Sequence, residues 1–447
     1  MKSQCLLTIV AGLFATLAPP AFAIIFEVNT ELDTFDTPSG TSVSLREAIR
    51  DAQASPGSDL ITIAIGTNDL TKGNLFTGFG GFGGGVFADE STVVVDGCTI
   101  DQNTSAYGGG GVYPFESTAT IKNTTVSNNI AEDGSGGGIT VTNATLTNVT
   151  ISGNTATQNG GGLRLNDFIA GAAVTLQNCT ITGNTADFDN TGDGDGGGVI
   201  VEIGGTATAT NTIVAGNFVA SLSDDVSGTV VSSDGNLIGN GDGLTMAQLP
   251  GDQVGPPASP INPRLAPLAD HGGRTATHAL YCGSPAIDAG VTTTLPTDQR
   301  GLARLFGTQV DAGAYESQHE AYTFFETYAF PPGTPAAMRA PGFDFDGDRF
   351  SNALEQAFGT DPADAGSTPR IDSFGQGTDL VLEFALSKLV DPSALVFEHT
   401  IDLDTWLATG ITIVPGAFIP ASTRQMTRAV IPMNGQPRKF GRIGYTP

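Results

Sequence analysis

The chain contains a short pattern that returns five times, and such a repeat constrains the fold more than any other feature of the sequence. Each copy ends in an asparagine six residues after its first residue, which is asparagine in four copies and glycine in one. The copies are residues 97–103, 123–129, 148–154, 178–184 and 211–217. Their starts advance by 26, 25, 30 and 33 residues, and a glycine triplet follows four of them. Units of this length, joined by variable loops, are typical of the coils of a solenoid.

Two positions in each copy, two residues apart, carry mainly β-branched or cysteine side chains. Because side chains alternate between the two faces of a strand, we predict that both positions face inward and that the residue between them faces outward. The inward positions are Cys98, Thr124, Val149, Cys179 and Thr212, followed by Ile100, Val126, Ile151, Ile181 and Val214. We predict an all-β fold, a right-handed parallel β-helix of about eight coils over residues 60–262, with the hand taken from the usual crossover rule.

The second asparagine of each copy is predicted to form a ladder at one corner of the coil. The ladder residues are Asn103, Asn129, Asn154, Asn184 and Asn217. Stacked amides can hydrogen-bond along the axis, and asparagine also tolerates the left-handed turn conformation. Cys98 and Cys179 occupy the same coil position three rungs apart, about 14 Å at ~4.8 Å per rung. We therefore expect no disulfide bond between them, since that bond needs Cα atoms within about 7 Å.

The first 23 residues have the order of a secretory signal peptide: Lys2, an apolar run, and the small-x-small ending Ala21-Phe22-Ala23. An uncleaved membrane helix is the alternative, which Pro19 and Pro20 disfavour. No later segment has ~18 uninterrupted apolar residues, so we expect no transmembrane segment after cleavage. The sequence thus predicts a secreted protein or one on the outer cell surface.

The charge balance argues against two classes of partner. The chain has 46 acidic and 19 basic side chains and a formal net charge of −27. Nucleic-acid binding needs a basic stripe that neutralises phosphates, and docking on anionic lipid needs a polybasic segment. We therefore expect no nucleic-acid partner.

Both ends of the predicted solenoid resemble known regions of exported bacterial β-helix proteins. Residues 44–55 predict an amphipathic helix whose capping box is Ser44 and Glu47. The surrounding segment 24–59, with FEVNTELDTFDTPSGTSVSLREAIRDAQASPGSDLITI, resembles the CSLREA-type N-terminal region and is expected to cap the first rung. Val43 stands where that motif has cysteine, so any role of that cysteine is absent here.

Residues 263–316 are similar to the choice-of-anchor Q region that closes such helices. The resemblance rests on NPRLAPLADHGGRTATHAL, GSPAIDAG and TDQRGLARLFGTQVDAGAYES. It implies a structural role at the cell surface or outside the cell and supplies no reaction. Asp288, Asp298 and Asp311 within it are open to two interpretations, as catalytic acids or as hydrogen-bonded residues that cap the helix end.

An acidic loop follows a predicted linker over residues 317–340. The predicted metal ligands, at loop positions 1, 3, 5, 7, 9 and 12, are Asp344, Asp346, Asp348, Phe350 (through its carbonyl), Asn352 and Glu355. Hard oxygen donors ending in a bidentate glutamate are typical of Ca²⁺ sites. With the short helix behind it, the segment 341–363 resembles the calcium loops of thrombospondin type 3 repeats and dockerins. Arg349 stands where an EF-hand has glycine, which predicts a positive-φ cost and weaker binding; the alternative interpretation is a solvated acidic turn.

The remaining residues, 370–447, alternate in short runs and predict a small β domain. The function expected for the whole chain is that of an exported structural or adhesive module that binds a polysaccharide or a cell-surface ligand. The alternative is a carbohydrate-active enzyme, a polysaccharide lyase or a glycoside hydrolase, on the same scaffold. Hydrolysis needs two carboxylates roughly 5–10 Å apart. The candidate pairs are Asp96 with Asp101 and Glu132 with Asp133, and the sequence selects neither. Asp187, Asp189, Asp193 and Asp195 cluster in one insert and are candidates for binding a cation.

Overall fold

The computed structural model describes residues 82–445 except 90, 167–170, 193, 282, 307–308, 319–321, 388, 390–394, 403, 419–423 and 437–438. Before residue 82 it describes four strands. The chain divides into two compact units: residues 1–279, 289–305 and 309–316, and residues 280–288, 306–308 and 317–447. The capping helix predicted over residues 44–55 lies outside the described residues.

The first unit is a parallel β-solenoid of about six turns. Polar inserts such as residues 187–195 lengthen several of these turns. Each complete turn contributes four short strands.

The largest sheet, sheet 1, contributes two strands to each complete turn. Its strands, numbered along the chain, are β1 (Leu6–Ala11), β2 (Ile25–Val28), β3 (Leu60–Ile63), β5 (Val86–Asp89), β6 (Ser91–Asp96), β9 (Val112–Phe115), β10 (Thr118–Lys122), β13 (Ile139–Val141), β14 (Asn143–Thr147), β17 (Leu163–Leu165), β18 (Ala173–Gln177), β21 (Val199–Val201), β22 (Thr206–Thr210), β26 (Val226–Ser232) and β28 (Leu244–Thr245). One parallel ladder runs β6-β10-β14-β18-β22 and another β5-β9-β13-β17-β21, and β26 pairs with the last strand of both. Strand β1, which lies within the predicted signal peptide, pairs antiparallel with β6.

Two further sheets complete the turns. Sheet 2 contains β4 (Asp69–Thr71), β7 (Thr99–Asp101), β11 (Thr125–Ser127), β15 (Thr150–Ser152), β19 (Thr180–Thr182), β23 (Ile213–Val214), β27 (Leu237–Ile238) and β29 (Gln253–Val254). Sheet 3 contains β8 (Thr104–Ser105), β12 (Ile130–Ala131), β16 (Thr155–Ala156), β20 (Thr185–Ala186), β24 (Phe218–Val219) and β25 (Leu222–Ser223). Sheet 3 ends where β25 folds back antiparallel on β24.

The predicted inward positions form the core of the solenoid. The ten side chains at the two positions of the repeat are at most 2% exposed. Their neighbours along the axis are in register, as in Val126 with Ile100 and with Ile151. Cys179 is buried and carries a free thiol, so it is not bonded to Cys98, as expected. Cys98 is disulfide-bonded.

The asparagine ladder is present. Asn129 Nδ2 donates to Asn154 Oδ1 at 2.9 Å, and Asn154 Nδ2 donates to Asn184 Oδ1 at 2.9 Å. Asn103 precedes these residues and Asn217 follows them in the same chain of bonds. In every ladder residue after Asn103, Oδ1 also accepts the backbone N–H of the preceding ladder residue, as Asn154 Oδ1 does from Asn129. The ladder therefore satisfies backbone and side-chain groups that are buried at this corner.

The left-handed residues lie elsewhere than the ladder. Positive φ occurs at the first residue of each copy, as at Asn148 (φ 53°), and at the residue before the ladder asparagine, as at Gly153 (φ 69°). A third such corner opens each glycine triplet, as at Gly109 (φ 60°). The next glycine is needed for close packing, since a Cβ at Gly110 would lie 2.2 Å from Gly137 O. The ability of asparagine to adopt positive φ therefore matters at the first residue of each copy, just before its strand in sheet 2.

Residues 263–279, 289–305 and 309–316 form a lateral arm along the outer side of sheet 2. Thr125 Oγ1 donates to Ala276 O, Thr150 Oγ1 donates to Gln299 Oε1, and Ala314 N donates to Thr180 Oγ1. These three outward-facing threonines are at most 2% exposed. The region expected to close the end of the helix therefore contacts several consecutive coils along its side.

Among its described residues, the second unit contains two antiparallel sheets, two short α-helices and a turn of 3₁₀ helix. Sheet 4 has the order β30 (Ile371–Gln376), β31 (Asp379–Ser387), β34 (Arg424–Pro432) and β33 (Thr412–Phe418), and sheet 5 pairs β32 (Leu395–Thr400) with β35 (Phe440–Tyr445). Helix α1 spans Tyr322–Tyr328, a 3₁₀ helix spans Ala336–Met338, and α2 spans Asn352–Phe358. The segment 317–340, predicted as a linker, is folded here: Phe325, Phe330 and Ala353 share a small buried cluster.

Candidate metal centre

The acidic loop ends on a helix that sheet 4 holds in place. Ser351 caps α2, with its Oγ accepting from Leu354 N, and Gly359 ends the helix in the left-handed conformation (φ 65°). Ala357 and Phe358 pack into a core with Phe384 of β31 and its neighbours. The burial of this helix fixes its first turn, where Asn352 and Glu355 lie.

The aspartates shape the loop by accepting hydrogen bonds from its backbone N–H groups. Asp344 accepts the backbone N–H groups of Gly347 and Arg349. Asp346 Oδ1 accepts from Asp348 N at 3.1 Å, and Asp348 Oδ1 accepts from Phe350 N at 2.7 Å. Each of these two aspartates therefore keeps its second oxygen for another partner.

Three of the predicted ligands converge. Asp344, Asp346 and Asp348 each place a carboxylate oxygen within 4.8 Å of the others. Four side-chain oxygens are buried without a hydrogen-bond partner, namely Asp346 Oδ2, Asp348 Oδ2, Asn352 Oδ1 and Glu355 Oε2. Leaving one buried polar group unsatisfied costs about 1–3 kcal/mol, and more for a charged one. Such a set of orphaned oxygens fits a cation bound between them.

Burial and the neighbouring negative charges raise the pKa values of the carboxyl groups in this loop. Burial, with the charges of Asp346 and Asp348, raises the pKa of Glu355 to about 8. Burial also raises the pKa of Asp346, with smaller contributions from Asp348 and Asp344. Without a cation, the cluster therefore resists full ionisation.

The amide of Asn352 is oriented by residues that the sequence did not single out. Its Nδ2 donates to Met338 O at 3.0 Å and to Ala340 O at 2.9 Å, which turns Oδ1 away from these carbonyls. Both carbonyls belong to the segment interpreted as a linker. No side-chain pattern could have identified them, because they act through the backbone. The carbonyl of Phe350 remains a predicted ligand.

The backbone of Arg349 has the positive φ that its place in the loop predicts. Its φ is 83°, in the region that favours glycine, and its side chain is exposed. The same loop has glycine at Gly347 (φ 81°). The effect of Arg349 on cation affinity stays a prediction.

Among the other candidate acids, Asp96, Asp101 and Asp187 accept hydrogen bonds within the solenoid. Asp101 Oδ1 accepts from Ser127 and Asn128 of the next coil, and Asp96 Oδ1 accepts from Asn123. Asp187 Oδ1 accepts two backbone N–H groups of its own insert, whereas Glu132 and Asp133 are exposed turn residues. Asp193 lies outside the described residues.

The acids of the lateral arm are buried in a network. Asp298 forms an ion pair with Arg300 at 2.7 Å and accepts backbone N–H groups, including that of Glu316. Asp311 is also fully buried. These buried contacts favour the structural interpretation of the two acids over the catalytic one. The acids hold the arm along the side of the helix, however, and not at its end. Asp288, which belongs to the second unit, has a left-handed backbone (φ 53°).

Comparison with known proteins identifies the solenoid only. Residues 52–174 match the family described as the right-handed beta helix region. No curated protein and no solved structure matches the chain. Among the described residues, no helix has both the length and the apolar character needed to cross a membrane.

Proposed function

We propose that this parallel β-helix protein is exported, acts outside the cytoplasm as a structural and adhesive module, and binds one Ca²⁺ that stabilises its second unit. The observation that carries the calcium site is the set of four buried, unpaired oxygens on Asp346, Asp348, Asn352 and Glu355. A divalent cation bound among them would give each oxygen a partner and offset two of the negative charges. Within residues 344–355 the only basic side chain that could balance these carboxylates is Arg349, and it is exposed.

The donor set favours calcium over softer metals. Carboxylate, amide and carbonyl oxygens suit a hard cation, and Ca²⁺ accepts six to eight of them in flexible geometry. The strained backbone and the positive charge of Arg349 weaken binding. We expect a Kd in the range of extracellular modules, ~10⁻⁴–10⁻³ M. Such a site is filled outside cells and empty at the calcium concentrations of a cytosol.

Replacing Glu355 with glutamine is expected to act in opposite directions with and without calcium. In chelator, the variant unfolds at the same or a higher temperature, because a buried carboxyl among like charges becomes neutral. At 10 mM Ca²⁺ the wild-type second unit gains about 1.4–2.7 kcal/mol by mass action at this affinity. The variant gains little of this. Thermal unfolding of the full chain, paired with calorimetric titration, measures both effects.

Two further variants sharpen this test. Asp364→Asn removes an exposed carboxyl that only accepts from Gly366 N beyond the helix, and it should leave the calcium response unchanged. Arg349→Gly relieves the positive-φ strain and should tighten binding. No calcium heat at millimolar ion, or an equal response in Glu355→Gln and wild type, would show that the loop is only an acidic turn.

Export makes a separate prediction. Protein recovered outside the cytoplasm should have lost residues 1–23 and should begin at Ile24, because Ala21-Phe22-Ala23 presents a small-x-small cleavage site. Intact-mass measurement determines the first residue. Recovery of a chain that retains Met1 would contradict export by signal cleavage.

A further inference from the structure

Sheet 1 begins with a strand order that its later coils do not repeat. The order is β2-β3-β1-β6, and β1 comes from the predicted signal peptide. The six residues Leu6–Ala11 pair antiparallel with Ser91–Asp96 of β6. Strands β10, β14, β18 and β22 each have the strand of the preceding coil at this side, in parallel. A strand from the signal peptide therefore lies where the parallel ladder would continue.

A constant spacing between sheets 1 and 2 shows which residues belong beside β6. Thr92 in sheet 1 and Thr99 in sheet 2 are seven residues apart, and their counterparts in the next four coils keep this spacing. In the coil before β6, Asp69 of β4 lies opposite Thr99. The same spacing assigns Thr62, which is seven residues before Asp69, to the place opposite Thr92.

Strand β3 already has the direction that this place requires. It runs antiparallel to β1, with Leu60 opposite Val10, and β1 runs antiparallel to β6. Two reversals make β3 parallel to β6, so β3 can reach β6 by moving one strand spacing, about 4.8 Å, without turning round. Strand β2 is paired in parallel with β3 and can accompany it. In the register given by Thr62, Ile63 lies opposite the fully buried Val93.

The two strands compete on unequal terms while β1 is attached. Strand β1 supplies six paired residues, and antiparallel pairing is slightly more stable per residue than parallel pairing. Loss of β1 would leave the N–H and C=O groups along one side of β6 without a strand partner. Strand β3 is the next strand in the sheet and is then free to supply these partners.

We propose that β1 occupies the place beside β6 until the signal peptide is removed, and that β3 then takes this place and completes the first coil. The trigger is hydrolysis of the peptide bond between Ala23 and Ile24 by a signal peptidase, with water as the second reactant. The proposal deepens the export proposed above and rests on it. It makes the closure of the solenoid at this end a consequence of export, and it does not depend on the calcium loop.

The test is a disulfide bond between β3 and β6, formed in the variant Thr62→Cys with Thr92→Cys. Two purified chains are compared, residues 1–447 and the chain that begins at Ile24. After the exchange, the two Cα atoms lie about 4.8 Å apart, within the limit of about 7 Å for a disulfide. With β1 between them they are two strand spacings apart, about 10 Å. Mild oxidation and peptide mapping should therefore recover this bond roughly fivefold or more in the shorter chain.

Two cysteine pairs calibrate the measurement. Thr92→Cys with Thr118→Cys joins exposed positions that lie opposite each other, so its bond should form in both chains. Thr62→Cys with Val94→Cys is displaced by two residues from the proposed register, and its Cα atoms would be about 8 Å apart. This second pair should stay reduced in both chains. Peptide mapping also separates each new bond from the native cysteines.

Prolines in β1 test the competition without cleavage. Successive N–H groups point to opposite sides of a strand, so Thr8→Pro together with Ile9→Pro removes one donor that faces β6. In chain 1–447 these prolines should allow the bond between positions 62 and 92 to form at the level of the shorter chain.

Three results would overturn the proposal. The first is an equal yield of the 62–92 bond in the two unmodified chain lengths. The second is its absence from a shorter chain that still forms the 92–118 bond, and the third is a 62–94 bond in its place. Because both chains are purified, these cross-links decide the strand exchange whether or not the cell exports the protein. Retention of Met1 in protein from outside the cytoplasm would instead refute export by cleavage.

Discussion

Replacement of Asn154 by alanine is expected to lower the unfolding free energy of the solenoid by roughly 3 kcal/mol or more, since it strands several buried groups. The change removes the acceptor of Asn129 N and Nδ2, and it removes the donor that Val126 O receives from Asn154 Nδ2. Asn154 is fully buried, so water cannot replace these partners without entering the core. Because each coil of a solenoid is stabilised by its neighbours, the loss should also weaken the boundary with the next coil.

Denaturant unfolding followed by circular dichroism measures this effect. Gln158→Ala is the matched control, because Gln158 is an exposed residue of the same coil, and its effect should stay within about 0.5 kcal/mol. If Asn154→Ala and Gln158→Ala unfolded alike, the ladder would not be a source of stability.

Replacement of Arg304 by methionine is expected to cost about 3–5 kcal/mol, the usual effect of removing one member of a buried charged pair. Arg304 is 1% exposed and donates to Asn148 Oδ1 and to Gly313 O. Glu316 Oε2 lies 3.9 Å from its guanidinium. Burial lowers the pKa of Arg304, and Glu316 is the main group that opposes this shift. Methionine preserves much of the packing volume but removes the buried cation that faces Glu316.

The loss should appear in the lateral arm before it appears in the solenoid. Hydrogen exchange should accelerate at the Gly313 amide, which donates to Asn211 O. Thermal unfolding should also begin earlier. Arg264→Met, at an exposed arm position, supplies the control and should retain wild-type exchange at Gly313. Equal protection of that amide in Arg304→Met would mean that the arm does not depend on this buried cation.

The solenoid could be predicted from the sequence because its signals are local and repeated. The inward pair Ile151 and Val149, the ladder asparagine Asn154 and the following glycines recur at nearly constant offsets. The acidic loop could be singled out for a similar reason, since all its candidate side-chain donors fall within twelve consecutive residues. Each position has a local physical requirement that few residue types satisfy.

The features that the sequence does not predict depend on contacts between residues that are far apart in the chain. Nothing near Thr150 indicates that Gln299 covers it, and a strand whose outward residues are threonines normally predicts a solvent-exposed face. The support of Asn352 by Met338 O and Ala340 O was missed because backbone carbonyls leave no composition signal. The glycine triplet 83–85 is a further local signal of the repeat, and it forms the corner before β5.

The asparagine ladder has a direction, and its last partner gives that direction a physical meaning. Every amide donates toward the next coil, and the series ends where Asn217 Nδ2 donates to Asp225 Oδ1 at 2.8 Å. Aligned amides polarise one another, so the N–H end of the series carries a partial positive charge, as the first turn of an α-helix does. Asp225 is fully buried, and although burial raises its pKa, the bonds from Asn217 oppose that shift. The ladder thus acts as a linear dipole that ends on the side chain of Asp225. The other oxygen of this side chain accepts from Asn240 N, so the direction of donation reverses at this coil.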